Sequence, residues 1–134
     1  MTCANAAKFG RLVVLQWAQD KDPPCLWHVV TCLNAAFGWH LEVLKWLREH
    51  GCPWDWQTCA YAAGGGHLEV LKWAREHGCR WDSSTCTCAA SGGHLEVLKW
   101  AREHHCSWDA RTRAAAAARK DAEMLAWLDE HGAP

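Results

Sequence analysis

The chain carries no excess of charge of either sign. Its 14 Lys and Arg stand against 15 Asp and Glu, spread along the length, for a formal net charge of −1. Nucleic-acid binding leaves a basic stripe or patch, so that class of partner is set aside. No apolar run approaches the ~20 residues that a membrane-spanning helix needs. The opening residues, Met1 to Gly10, lack a charged segment followed by the apolar core of a secretion signal. The expectation is a soluble protein of the cell interior, in the cytoplasm, with neither nucleic acid nor membrane as partner. No Ser, acid and Gly-rich loop stand in an order that would supply nucleophile, base and oxyanion donor, which argues against an enzyme. Nor is there a Cys-x2-Cys pair of the zinc-finger kind, although the chain has nine cysteines and nine histidines.

What the chain has in abundance is repetition. His40-Leu-Glu-Val-Leu-Lys-Trp46 recurs from His67 to Trp73 and from His94 to Trp100, a period of 27 residues. Thr31, Thr58, Thr85 and Thr112 keep the same register, as do Trp27, Trp54, Trp81 and Trp108, and the pairs Ala35-Ala36, Ala62-Ala63, Ala89-Ala90 and Ala116-Ala117. A further unit opens the chain, where Thr2 to Ala7 matches Thr31 to Ala36 at an offset of 29, two residues being added in the loop from Asp20 to Cys25. The division is one domain over 1–134 in five units, approximately 1–24, 25–51, 52–78, 79–105 and 106–134. A unit this short cannot bury its own apolar face, so its neighbours must stack on it. Five units exceed the three or so that such arrays need.

Each unit reads as two helices. The first, as from Thr58 to Gly65, is short and rich in small residues, with Thr58 or Asp55 available as N-cap. The second, from His67 to His77, ends at Gly78, a residue suited to the left-handed position past a helix end. Leu68, Val70, Leu71, Trp73 and Ala74 spread over too wide an arc for a surface helix, while Glu69, Lys72, Arg75 and Glu76 form a narrower polar strip. Gly51-Cys-Pro-Trp-Asp55 is too short for a strand pair.

The pattern Thr-x-x-x-Ala-Ala-x-x-Gly-His-Leu-Glu-Val-Leu-Lys-Trp-x-x-x-x-Gly, as from Thr58 to Gly78, resembles the ankyrin repeat in a short-period form, over nearly the whole chain. The resemblance implies an all-α fold, an αα solenoid of five stacked helical hairpins. Two features depart from the family. Its Thr-Pro-Leu-His becomes Thr58-Cys-Ala-Tyr61 or Thr85-Cys-Thr-Cys88, and the unit is about six residues shorter than the usual period of 33. The missing residues fall where the family carries its β-hairpin fingers, which are therefore shortened or absent. A binding face is then expected from the first helices and the short loops.

The end units differ from the middle. The last replaces a repeated Cys with Arg113 and adds Arg111, Arg119, Lys120 and Asp121, as a unit with one water-facing side would. The first offers Lys8, Arg11, Gln16, Gln19, Asp20 and Lys21. Both read as caps, with the alternative that the chain is a piece of a longer array.

His50, Cys52 and Cys59, and again His77, Cys79 and Cys86, suggest a metal through repeated His-x-Cys elements. Against this, a fourth ligand is unclear, and free Cys is among the most buried of side chains, so filling the contacts between repeats explains the cysteines better. Disulfides between equivalent cysteines of neighbouring units, such as Cys52 and Cys79, would have to span a helix spacing of roughly 10 Å, beyond the ~7 Å an unstrained bridge allows. No cofactor is expected. His40, His67 and His94 open the second helix, where a ring nitrogen can bond the neighbouring unit, and His50, His77, His104 and His131 fall in its last turn, near free carbonyls. Trp46, Trp73, Trp100 and Trp127 in the second helix, with the four loop tryptophans, are structural by their periodicity.

If repeated positions hold the scaffold, the varying ones on the first helix specify a partner. They include Val30, Leu33, Asn34 and Phe37, then Trp56, Gln57 and Tyr61, then Ser84, Thr87 and Cys88, and finally Arg111. Their character runs from apolar and aromatic to small and polar, which places the strongest contact around Phe37, Trp56 and Tyr61. The functional expectation is a non-catalytic, monomeric protein-binding module, a scaffold or adaptor whose partner is another protein. The alternative is a metal- or thiol-dependent binding protein.

Overall fold

The computed structural model describes residues 7–8, 10, 12–19, 29–38 and 40–134. Trp27 and the residues that open the first unit, Thr2 to Asn5 among them, lie outside it. Among the described residues all regular structure is helical: α1 (Leu12–Gln19), α2 (Val29–Phe37), α3 (Leu41–Glu49), α4 (Trp56–Gly64), α5 (Leu68–Glu76), α6 (Ser83–Ser91), α7 (Leu95–Glu103), α8 (Ala110–Arg119) and α9 (Ala122–Glu130). The pairs α2/α3, α4/α5, α6/α7 and α8/α9 are helical hairpins, and the closest packing in the molecule runs between the first helices of successive pairs. The short-period pattern thus folds as an αα solenoid, with no strand among the described residues.

The stacking follows from side-chain size. Ala35, Ala36, Ala62, Ala63, Ala89 and Ala90 are fully buried, and their small volume lets backbones approach. Gly38 and Gly92 carry this furthest, since a Cβ there would run into the carbonyl of Lys8 or of Gly64 in the preceding unit. The second helices supply the larger apolar groups, and Val70, Leu71 and Ala74 of α5 recur as Val97, Leu98 and Ala101 in α7, all in one continuous core.

Helix ends are set by side chains that the repeat supplies. Asp55, Asp82 and Asp109, rather than the threonines, cap the first helices, each accepting the backbone N–H two residues on at 2.8 to 2.9 Å. Thr58, Thr85 and Thr112 turn inward instead, buried in the core with hydroxyls that make no hydrogen bond. At the far end of α5, Gly78 has φ +84°. There the N–H of Cys79 reaches the carbonyl of Ala74 at 2.9 Å and that of Gly78 the carbonyl of Arg75 at 3.3 Å, the paired bonds of a Schellman ending. His105 holds the same place after α7 with φ +67°, where its Cβ is strained.

Histidines strap the hairpins together. His40 Nε2 lies 2.9 Å from the carbonyl of Lys8, and His67 Nε2 lies 2.8 Å from that of Phe37, each on the preceding unit's first helix. Burial, with His94 and His40 as neighbours, holds His67 below the ordinary histidine range in spite of its bond to Phe37. On the outer side the tryptophans link successive second helices. Trp54 meets Trp73 edge-on at 5.7 Å, and His77 stacks on Trp73 at 4.2 Å. The arrangement repeats at Trp81, Trp100 and His104 and at Trp108, Trp127 and His131. Arg48, Arg75 and Arg102 of the preceding hairpins lie over Trp54, Trp81 and Trp108 at 4.1 to 4.3 Å.

Replacing Trp73 by Ala should lower stability by about 3 kcal/mol, toward the small end of the range for such truncations because the ring is only partly buried; an unchanged urea midpoint would contradict the packing. His105→Gly should raise stability by about 1 kcal/mol by relieving the left-handed strain, read from the same titration. The unfolded chain protonates His67 near 6.5 while the folded protein resists it. The contribution of His67 is therefore complete above that pH and is lost as pH falls from 6.5 toward the lowered folded value. His67→Asn should consequently show a shallower acid decline in midpoint than the wild type.

Candidate interaction surface

The first helices present one row of side chains along the array, and its composition changes from hairpin to hairpin. Phe37 near the end of α2 is 47% exposed, Trp56 at the start of α4 is 41% exposed and Tyr61 within α4 is 44% exposed. These are large apolar groups left in water beside a core that buries every alanine of the pairs in α2, α4 and α6. Phe37 and Tyr61 meet edge-on at 6.1 Å across the boundary between two hairpins, so they form a single aromatic patch. Leu33, Asn34 and Gln57 are half-buried on the same two helices. Val30 falls in α2, but its side chain lies outside the described residues.

Farther along, the row turns polar. Ser84 and Thr87 on α6 are half-buried, and the Thr87 hydroxyl donates back to the carbonyl of Ser83 at 3.1 Å. Cys88 is half-buried, and burial pushes its thiol up. Arg111 on α8 is exposed, grips the Asp109 carboxylate at 3.0 Å and donates to the Ser83 hydroxyl at 2.9 Å in the preceding hairpin. That ion pair holds Asp109 below the usual carboxylate range. Of the sequence-selected positions, the fold therefore joins Phe37 to Tyr61, while Arg111 serves as a tie between α6 and α8.

The His-x-Cys elements come apart. His50 Nδ1 sits 2.8 Å from the carbonyl of Trp46 with its ring stacked on that indole at 4.2 Å, and His77 does the same on Trp73. Both rings lie on the exposed outer side, whereas Cys52, Cys59, Cys79 and Cys86 are fully buried. Among the described residues no three His, Cys, Asp or Glu side chains come together as a metal-ligating group. The buried cysteines meet one another instead: Cys59 pairs with Cys79, Cys32 with Cys52 and Cys86 with Cys106. These partners are not the equivalent residues of neighbouring units considered from sequence but two different positions of one hairpin. A pattern search at a spacing of twenty residues would have found them.

A second surface that the reading of single positions passed over lies between the second helices. Lys45, Arg48 and Glu49 face Trp73 and His77 across an open groove of about 410 Å³, and Lys72, Arg75, Glu76, Trp81, Trp100 and His104 line its counterpart one hairpin on. The signal was present in the periodicity of Lys and Arg on the strip opposite the apolar residues. Because the same residue types line the groove in each hairpin, its chemistry distinguishes no one place on the array.

Short helical hairpins stacked in register, with first helices packed directly on one another and a variable row along one side, define a helical-repeat solenoid. Residues 59–102 match the family model for ankyrin repeats in many copies. The crystal structure of the human ASB11 ankyrin repeat domain is similar over 100% of this chain and 70% of its own, with a TM-score of 0.77 at 18% sequence identity. No curated protein matches the chain. Residues 59–102 are thus similar to ankyrin repeats, and the chain as a whole shares the fold of an ankyrin repeat domain. None of its described helices is long and apolar enough to cross a membrane.

Proposed function

We propose that this chain, as one repeat domain over 1–134, is a non-catalytic scaffold or adaptor that binds another protein through the first-helix row, anchored at Phe37, Trp56 and Tyr61. The observation that carries this reading is the exposed aromatics: Phe37 and Tyr61, in contact across two hairpins, and Trp56 on the same helix as Tyr61 are each more than 40% exposed. Exposed aromatic clusters of this kind supply the desolvated anchors of protein interfaces. The half-buried Leu33, Asn34 and Gln57 extend the patch, and Ser84, Thr87, Cys88 and Arg111 form its polar continuation.

The test compares three forms of the protein as bait in native lysate: the wild type, the triple variant Phe37→Ala, Trp56→Ala and Tyr61→Ser, and an outer-side control, Lys45→Ala with Lys72→Ala. A protein held by the wild type and the control should lose at least ~30-fold in affinity with the triple variant, since anchors of this type each contribute about 2 kcal/mol or more. Loss with the control and retention by the triple variant would move the site to the outer grooves and overturn the assignment.

A further inference from the structure

The three buried cysteine pairs are not used by the first-helix row. In each, one cysteine stands in the opening turn of a first helix and the other directly follows the left-handed residue that closes the second helix, twenty residues later. All six are 0% exposed. Cys79 Sγ donates at 3.3 Å to the carbonyl of Asp55, the same oxygen that accepts the N–H of Thr58 at 3.1 Å. Its sulfur therefore lies at the first turn of α4, where the backbone N–H and the thiol of Cys59 both bond to it. Cys106 repeats this with the carbonyl of Asp82, at 3.3 Å, and with Cys86. In the earlier hairpin the Cys32 thiol lies 3.8 Å from the carbonyl of Cys52 and bonds to the Cys52 side chain.

The two positions also change together. By repeat register the helix position holds Cys32, Cys59 and Cys86, and the turn position holds Cys52, Cys79 and Cys106. In the last hairpin both are replaced, by Arg113 and Ala133, and the guanidinium donates to the Ala133 carbonyl at 3.1 Å, with Asp129 as a further partner at 2.5 Å. Where the thiols are lost, a polar contact takes over the same junction. Cys88, two residues along α6 from Cys86, has no cysteine partner among the described residues and serves as an internal comparison.

We propose that Cys32/Cys52, Cys59/Cys79 and Cys86/Cys106 are dithiol modification sites, each oxidised by a hydroperoxide to a disulfide that ties a first helix to the turn closing the second helix of the same hairpin. The turn cysteine is the nucleophile. The hydrogen bonds from Cys59 favour the Cys79 thiolate against burial, while that same thiol contact and burial hold Cys59 protonated. Arg75 adds positive charge by donating to the Cys79 carbonyl at 2.6 Å. The thiolate attacks the peroxide, forming S–O and breaking O–O, and the hydroxide released takes up a proton to become water. The Cys59 sulfur then attacks the sulfenic acid, forming S–S and breaking S–O, and the departing hydroxyl leaves as a second water with the Cys59 proton. Two thiols and one hydrogen peroxide thus yield one disulfide and two waters. Burial makes the reaction wait for local opening of the turn, so it runs more slowly than attack at a half-buried thiol.

The experiment exposes the native full chain to hydrogen peroxide, then denatures it, tags the remaining thiols and maps the peptides by mass spectrometry. The expected result is three linked peptide pairs, Cys32–Cys52, Cys59–Cys79 and Cys86–Cys106, each lighter by two hydrogens, with Cys88 outside every bridge. The melting temperature should rise and return after dithiothreitol. Cys79→Ala should abolish the Cys59 bridge and leave the other two, and the wild-type map stands by itself if that variant does not fold. The proposal is overturned if these six thiols stay fully taggable after exposure prolonged well beyond complete oxidation of Cys88. It is equally overturned if the bridges are scrambled or intermolecular, or form only once denaturant is present.

Discussion

The hydrogen bond from the backbone N–H of Cys79 to the carbonyl of Ala74, at 2.9 Å, closes α5, and the bonds made by Cys52, Cys106 and Ala133 close α3, α7 and α9 in the same way. This reversal depends on a left-handed residue, which Gly51, Gly78 and Gly132 adopt without strain and His105 adopts at some cost. It delivers the next residue inward, where a cysteine meets the first helix, and sends the residue two further on outward, where a tryptophan meets the second. The conserved-register arginine secures the turn from the other side, since Arg75 donates to the Cys79 carbonyl and lies over Trp81. Inner thiol contact and outer indole contact therefore originate in one backbone feature, and the spacing between hairpins depends on it.

The array divides its chemistry between two sides. Inside and between first helices, small residues set a close approach that tolerates no added Cβ at Gly92. Outside, pairs of indoles and a stacked imidazole bridge successive hairpins and leave open grooves beside them. The first-helix row lies beside the alanine contacts and away from the indole pairs, and touches neighbouring hairpins at its edge through Phe37 with Tyr61 and Arg111 with Ser83. Phe37, Trp56 and Tyr61 stand exposed in an otherwise well-packed repeat.

The second helices were legible from the sequence because their apolar residues recur in phase and Gly78 marks an end that few other residues would tolerate. The first-helix cap was narrowed to two candidates and no further. Asp55 and Thr58 both carry a capping oxygen, and only packing shows that Thr58 is drawn into the core while Asp55 stays at the surface to accept a backbone N–H. The His-x-Cys grouping illustrates a different limit. Residues two apart in sequence lie here on opposite sides of a helix end, so His50 faces outward onto Trp46 while Cys52 turns inward to Cys32.

The sequence by itself determined the period, the helical hairpin and the order of variable residues along the row, because each of these is written in a local pattern that recurs at a fixed spacing. The tertiary structure alone decided which cysteines meet, which indoles pair across hairpins and which aromatics remain in water. Those outcomes depend on how far apart stacked hairpins sit and how each turn aims its side chains. A linear repeat sets both through packing that spans neighbouring units, and no single unit contains that information.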